Sequence, residues 1–107
     1  MLNTFNDQNF KEEVLNFKGV VLVDFGAEHC ASCRVMLSII KELAEEIKDQ
    51  TKIGAMDTSE NPLTPNEYGI MAIPNVIIFK NGKAVEQISG VRKKDELKKL
   101  LEKVLKE

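Results

Sequence analysis

The stretch His29-Cys30-Ala31-Ser32-Cys33-Arg34 holds both cysteines of the chain, three positions apart, and its single histidine directly before them. Two thiols at this spacing can cycle between dithiol and disulfide, share a metal ion, or sit as small apolar residues in a core. A metal site wants about four ligands, and two cysteines with one adjacent histidine make a poor set. Covalent haem attachment needs a histidine after the second cysteine, where Arg34 stands instead. A structural staple gains little, because closing so short a loop removes little entropy from the unfolded chain. Redox exchange remains, with a buried structural pair as its alternative, and neither metal nor cofactor is expected.

Exchange needs one thiol that is ionised and within reach, so the elements around the pair decide the chemistry. Upstream, Val20–Phe25 reads VVLVDF, short, β-branched and apolar on both faces, as in a central strand covered by helices. Downstream, from Ala31 to about Lys48, Met36, Ile40, Leu43 and Ile47 fall on one helical face, joined by Ile39, with Lys41, Glu42, Glu45, Glu46 and Lys48 outside. Cys30 thus stands where a strand ends and a helix starts, facing unpaired N–H groups and the positive end of the helix dipole. Both favour thiolate, and such surroundings bring a thiol from about 8.5 to about 7 or below. Cys30 is therefore the candidate nucleophile. Cys33, one turn on and on the same face, lies within disulfide range but towards the core; it keeps its proton and acts second, resolving a mixed disulfide.

The remaining sequence alternates short apolar runs with amphipathic stretches, without repeats or linkers, and 107 residues fit a single domain, 1–107. Leu2–Phe5 is a candidate strand. The segment from Asn6 to Gly19 reads as a first helix, with Asn6 or Asp7 as cap, Phe10, Val14 and Phe17 as inner stripe and Gly19 as terminator. Thr51–Asp57 reads as a strand, and the stretch from Glu60 to Gly69 as a short helix or turn with Pro62 near its first position. Asn75–Ser89 predicts a hairpin around Asn81-Gly82, a dipeptide that tolerates the positive φ of a type I′ turn. The Lys-rich end is a helix with Leu97, Leu100, Leu101, Val104 and Leu105 inside and charges of alternating sign in solvent. The order predicts an α/β fold: a central mixed β-sheet, its parallel core extended by an antiparallel hairpin, with helices on both faces. Fifteen basic and seventeen acidic residues give a net charge of −2 with no basic stripe, so no nucleic-acid partner is expected. The first ten residues resemble neither a signal peptide nor a membrane span, so no membrane partner and a cytoplasmic location are expected. Disulfides in the cytoplasm are mostly transient or catalytic.

The string VLVDFGAEHCASCR (21–34), Ala72-Ile73-Pro74, Phe79-Lys80-Asn81-Gly82 and Gly90 follow the order and spacing of the thioredoxin family over essentially the whole chain. The resemblance implies the thioredoxin fold and assigns attack on substrate disulfides to Cys30 and resolution to Cys33. It places Asp24 as the buried aspartate that assists proton transfer. Flanked by Val23 and Phe25, Asp24 should be desolvated and its pKa raised, which suits proton exchange near neutrality; a solvated strand end is the alternative. The resemblance also makes Ile73-Pro74 cis, leaving the Ile73 backbone free to pair with an extended substrate segment. His29, Ala31, Ser32, Ile73, Pro74 and Gly90 are accordingly the candidate substrate-binding residues.

The chain departs from the family pattern Trp-Cys-Gly-Pro-Cys. His29, Ala31 and Ser32 replace its Trp, Gly and Pro, Gly26 replaces a further Trp, and no tryptophan is present. Gly26 and His29 remove apolar surface near the nucleophile, which points to a narrower client range. His29 either adds positive charge that favours the thiolate or is an exposed ring without a role. Ser32 restores a backbone N–H and adds a hydroxyl, either of which can bond the Cys30 sulfur, and with His29 it leads to the expectation of a reduction potential less negative than that of a Gly-Pro relative. Ala55 stands where many members carry a lysine near the aspartate, and Ser38 replaces a proline, which predicts a straighter helix.

The resulting expectation is a monomeric dithiol–disulfide oxidoreductase that reduces disulfide-containing client proteins. Its re-reduction, on the resemblance, falls to a thioredoxin-reductase-type flavoprotein using NADPH or another donor. A thioredoxin-like binding module with incidental cysteines, and a specialised thiol oxidant or isomerase, are the alternatives.

Overall fold

A computed structural model describes residues 2–47 and 51–107. Five strands form one sheet: β1 (Asn3–Thr4), β2 (Val20–Gly26), β3 (Thr51–Asp57), β4 (Asn75–Lys80) and β5 (Lys83–Ser89), in spatial order β1-β3-β2-β4-β5. β3 runs parallel to β1 and β2, whereas β4 is antiparallel to both β2 and β5, giving the mixed sheet expected. β2 lies in the middle because neither of its faces is polar enough for solvent. Val20 and Leu22 pack on one side with Met36, Ile40 and Leu43 of α1 (Ala31–Glu46) and with Leu97, Leu101 and Val104 of the last helix. Val21, Val23 and Phe25 pack on the other with Phe10, Val14, Phe79 and Tyr68, the residue that ends α2 (Leu63–Glu67). The last helix, α3 (Lys94–Lys106), follows β5. Each fully buried large side chain of this kind contributes about 1.5–3 kcal/mol.

The first helix is shorter than its apolar spacing predicts. Asn6 opens the turn that leads into it, its side-chain oxygen accepting the Asn9 N–H at 2.7 Å while the Asn9 side chain accepts the Asn6 N–H at 2.8 Å. Helical geometry then widens over Lys11–Leu15, where the Asn16 N–H reaches back to the Lys11 carbonyl at 2.8 Å, and stops at Asn16, before Gly19. Asp7 does not cap this segment. Its carboxylate accepts the N–H groups of Leu63 and Thr64 at 3.1 and 2.9 Å and the Thr64 hydroxyl at 2.7 Å, capping α2 across the fold. These donors hold the Asp7 carboxyl below its ordinary pKa despite the opposing cost of desolvation.

The hairpin forms where predicted, with φ of +51° at Asn81 and +83° at Gly82. Any side chain at Gly82 would place its Cβ 2.3 Å from the Leu15 carbonyl oxygen, a second reason for glycine there. The register slips between Ile78 and Phe79, leaving Val85 outside the ladder. α1 runs unbroken through Ser38 and ends at Glu46 with Ile47 as its cap; Lys48, the expected last helical residue, lies outside the described residues. The register opposes Phe25 to both Met56 and Asn75, Gly26 to Asp57 and Asn75 to Ser89. The segments after β2, β3 and β5 and before β4 therefore meet at one end of the sheet.

Candidate active site

The chain leaves β2 at Gly26 and turns through Ala27–Cys30, where the Cys30 N–H donates to the Ala27 carbonyl at 3.3 Å. Cys30 is extended, at φ −105° and ψ 115°, and caps α1 with its sulfur: Sγ accepts the Cys33 N–H at 3.2 Å. A sulfur so placed meets the unpaired amides and the positive dipole end of a sixteen-residue helix. The Ser32 Oγ lies 3.4 Å from the same sulfur. Cys30 is half-buried while Cys33 is 5 % exposed, so one sulfur faces outward and the other inward. The two are paired as a disulfide, with Cα atoms 5.2 Å apart. Gly26 makes this close approach feasible, since a Cβ there would sit 3.2 and 3.3 Å from Cys33 Cβ and Sγ.

Asp24 shares the face of β2 with Gly26, and hence with Cys33, because side chains alternate along a strand. Its in-register neighbours are Ala55 and Val76, which offer neither charge nor hydrogen bond. Asp24 is 3 % exposed, and its Oδ1 has no hydrogen-bond partner among the described residues. Desolvation alone pushes its pKa up to about 7. The expected burial is therefore present, and the solvated alternative is not.

The Ile73-Pro74 peptide is cis. The Pro74 carbonyl accepts the N–H of Gly90, itself at φ +83°, at 2.8 Å, whereas the Ile73 backbone has no hydrogen-bond partner among the described residues. Ala31 and Ser32 are exposed beside Cys30. His29 is exposed too and makes no hydrogen bond to either sulfur among the described residues; its field falls on Asp57. That carboxyl is held below its ordinary pKa first by the Ser59 hydroxyl at 2.5 Å, with the Ser59 N–H at 2.8 Å and His29 adding to it. The candidate catalytic and substrate-binding residues read from the sequence thus gather at one end of the sheet. Among the described residues, no group of three or more His, Cys, Asp and Glu side chains could hold a metal.

Sequence reasoning missed Asn75. Only 3 % exposed, it donates to the Ser89 hydroxyl at 3.0 Å and accepts from the Gln87 amide at 3.2 Å, tying the residue after Pro74 to β5. A polar residue opening the apolar run Val76–Phe79 was the available signal.

An outward sulfur capping a helix, an inward partner one turn on and a protonatable carboxyl on the same face define a dithiol–disulfide oxidoreductase of the α/β class. The thioredoxin family model matches residues 1–103. The chain is 42 % identical over 97 residues to a thioredoxin of Rickettsia prowazekii (strain Madrid E), covering 91 % of this chain and 92 % of that one. It is 45 % identical over 100 residues to a thioredoxin of Griffithsia pacifica, covering 94 % and 92 %. With a thioredoxin of Listeria monocytogenes serovar 1/2a (strain ATCC BAA-679 / EGD-e) it shares 40 % identity over 103 residues, covering 96 % and 98 %. The chain belongs to the thioredoxin family.

Proposed function

We propose that the chain reduces disulfides of client proteins by two successive exchanges at Cys30 and Cys33. The Cys30 thiolate attacks one client sulfur: a Cys30–client bond forms, the client disulfide breaks, and the second client sulfur leaves as thiolate and takes a proton from solvent. Cys33 then gives its proton to Asp24 and attacks the Cys30 sulfur. The intramolecular disulfide forms, the mixed disulfide breaks, and the first client sulfur leaves as thiolate and is protonated. The client gains two electrons and two protons; the chain is left in the oxidised form that the structure holds.

The observation that carries this reading is the Cys33 N–H donated to the Cys30 sulfur at the start of α1, with Cys33 buried beneath. A carboxyl with a pKa of about 7 takes and returns a proton near neutrality, which fits the second step. The cis Pro74 segment, with the unpartnered Ile73 backbone beside it, is the place for an extended client segment. Re-reduction falls to a reductase of the flavoprotein type using NADPH or another donor. The location is cytoplasmic, in keeping with a redox pair that must be reduced repeatedly; among the described residues no helix is long and apolar enough to cross a membrane.

Reduction of insulin disulfides, compared between the wild type, Cys30→Ser and Cys33→Ser, tests the assignment. Loss of turnover in both variants, with mixed disulfides trapped only in Cys33→Ser, is the expected result. Undiminished turnover in Cys30→Ser would remove the assignment, and a wild type no faster than the uncatalysed reaction would leave a binding module instead.

A further inference from the structure

Charged residues make up 30 % of the chain, and Glu28, Arg34 and Arg92 stand at this end, but Ala31, Ser32, Met71, Ala72, Ile73 and Val91 carry no charge. Among the described residues the exposed large apolar side chains are Val35, Leu63, Met71, Val85 and Val91, and four of these five belong to this end of the molecule. Val35 lies little more than one turn into α1, Leu63 opens α2 beside the Asp57–Asn61 turn, and Met71 and Val91 flank the Pro74–Gly90 contact. Val85, at the strand irregularity, is the exception.

Met71 stands apart within this set. It is 97 % exposed, two residues before the unpartnered backbone of Ile73. Nothing in the fold uses its side chain, while Ile70 before it joins the core. Single exposed apolar residues are common on protein surfaces, but this one lies two residues from free backbone groups, in the segment that meets the Cys30 turn at one end of the sheet, and its chain neighbours Ile70 and Ala72 carry no charge. A methionine has three rotatable bonds and a polarizable thioether, so it adapts to aliphatic and aromatic partners of differing shape.

We propose that Met71 is a specificity-determining residue that receives an apolar side chain next to the client's disulfide, so that apolar-flanked disulfides are reduced in preference to polar-flanked ones. The occupant is an extended segment of the client held at Ile73, with its cystine at Cys30. Met71 and Val91 take over the apolar contact that the missing tryptophans do not supply. The inference rests on the proposed exchange function and adds a preference to it.

Two cyclic peptides, each closed by one disulfide and differing only in having leucine or serine on both sides of each cysteine, test it. Reduced protein is oxidised by each under pseudo-first-order conditions and followed by acid quench and mass spectrometry. Rates are divided by that for hydroxyethyl disulfide on the same variant. The wild type should prefer the leucine peptide by about fivefold or more, in line with partial burial of one apolar side chain. Met71→Ser should bring the ratio to about one and Met71→Leu should keep it, and with the side chain in solvent neither change endangers folding. A ratio near one in the wild type, or one unchanged in Met71→Ser, overturns the preference while leaving the exchange function intact. Failure of all three disulfides to oxidise the wild type would instead remove the exchange function, and the preference with it.

Discussion

At the end of the sheet where β4 turns into β5, Asn81 donates its backbone N–H to the Gly19 carbonyl and accepts the Gly19 N–H on its side chain, both at 2.9 Å. Lys80 donates there to the Val104 carbonyl at 2.9 Å, tying α3 to the hairpin. At the opposite end the Ile73 backbone and Asp24 Oδ1 lack partners among the described residues, Met71 stands in solvent, and the Cys30 sulfur takes an amide hydrogen that a protein carbonyl would otherwise receive elsewhere in a helix. The same strands run through both ends. The contrast teaches that the fold closes one end with its own hydrogen bonds and leaves the other with valences that a reacting sulfur, a proton or a client can fill.

Changes at the two ends should therefore have separable effects. The largest is chemical: Cys30→Ser should bring disulfide reduction down to the uncatalysed rate with the unfolding midpoint little changed, measured by insulin turnover and thermal melting.

Asp24 comes next, through pH. Its folded pKa of about 7 lies above the 3.8 of an unperturbed aspartate, so between these values the folded chain binds more protons than the unfolded one. Its contribution is most favourable below the lower value and is lost as the pH rises through the upper. Urea unfolding should show wild-type stability declining from this group by about 1.4 kcal/mol per pH unit in that window, about 4 kcal/mol in all, and Asp24→Asn should remove the slope. Equal slopes in the two proteins would mean that Asp24 is not held neutral by burial.

The closed end answers to sterics. Gly82→Ala puts a Cβ 2.3 Å from the Leu15 carbonyl oxygen at φ +83° and should lower stability by about 2–4 kcal/mol. Its reduction potential should stay at the wild-type value, and a shift would show that the ends are coupled. The smallest expected effect is at Ser32, whose hydroxyl lies 3.4 Å from the Cys30 sulfur. Losing a hydrogen bond that favours the reduced thiolate should make the potential of Ser32→Ala more negative by about 10–30 mV in equilibrium with glutathione.

Local signals made most of the fold legible. The unbroken apolar run at Val20–Phe25 marked the central strand, Asn81-Gly82 the hairpin, and the change to helical spacing after Cys30 the start of α1. The cysteine spacing, read at the junction of that strand and that helix, was enough to place one sulfur outside and one inside. The cis peptide at Pro74 was reachable only through resemblance, because nothing local selects it. The first helix was overestimated because helical geometry widens and stops at Asn16, before the apolar stripe reaches Phe17, while Asp7, a good local cap, serves a distant helix through Leu63 and Thr64. Contacts between segments far apart in sequence were illegible for the same reason: the Asn75–Ser89–Gln87 network, the fit of Gly26 against Cys33 and the proximity of His29 to Asp57 all depend on the sheet register.

The most direct test of the open end is the acidity of Cys30 itself, read from the pH dependence of its alkylation rate in the reduced Cys33→Ser variant. Removal of Cys33 leaves the helix start and its amide hydrogen in place, so the thiol should titrate at about 7 or below, against about 8.5 for a free cysteine. A value at or above that of a free cysteine would contradict a thiolate stabilised at the start of α1.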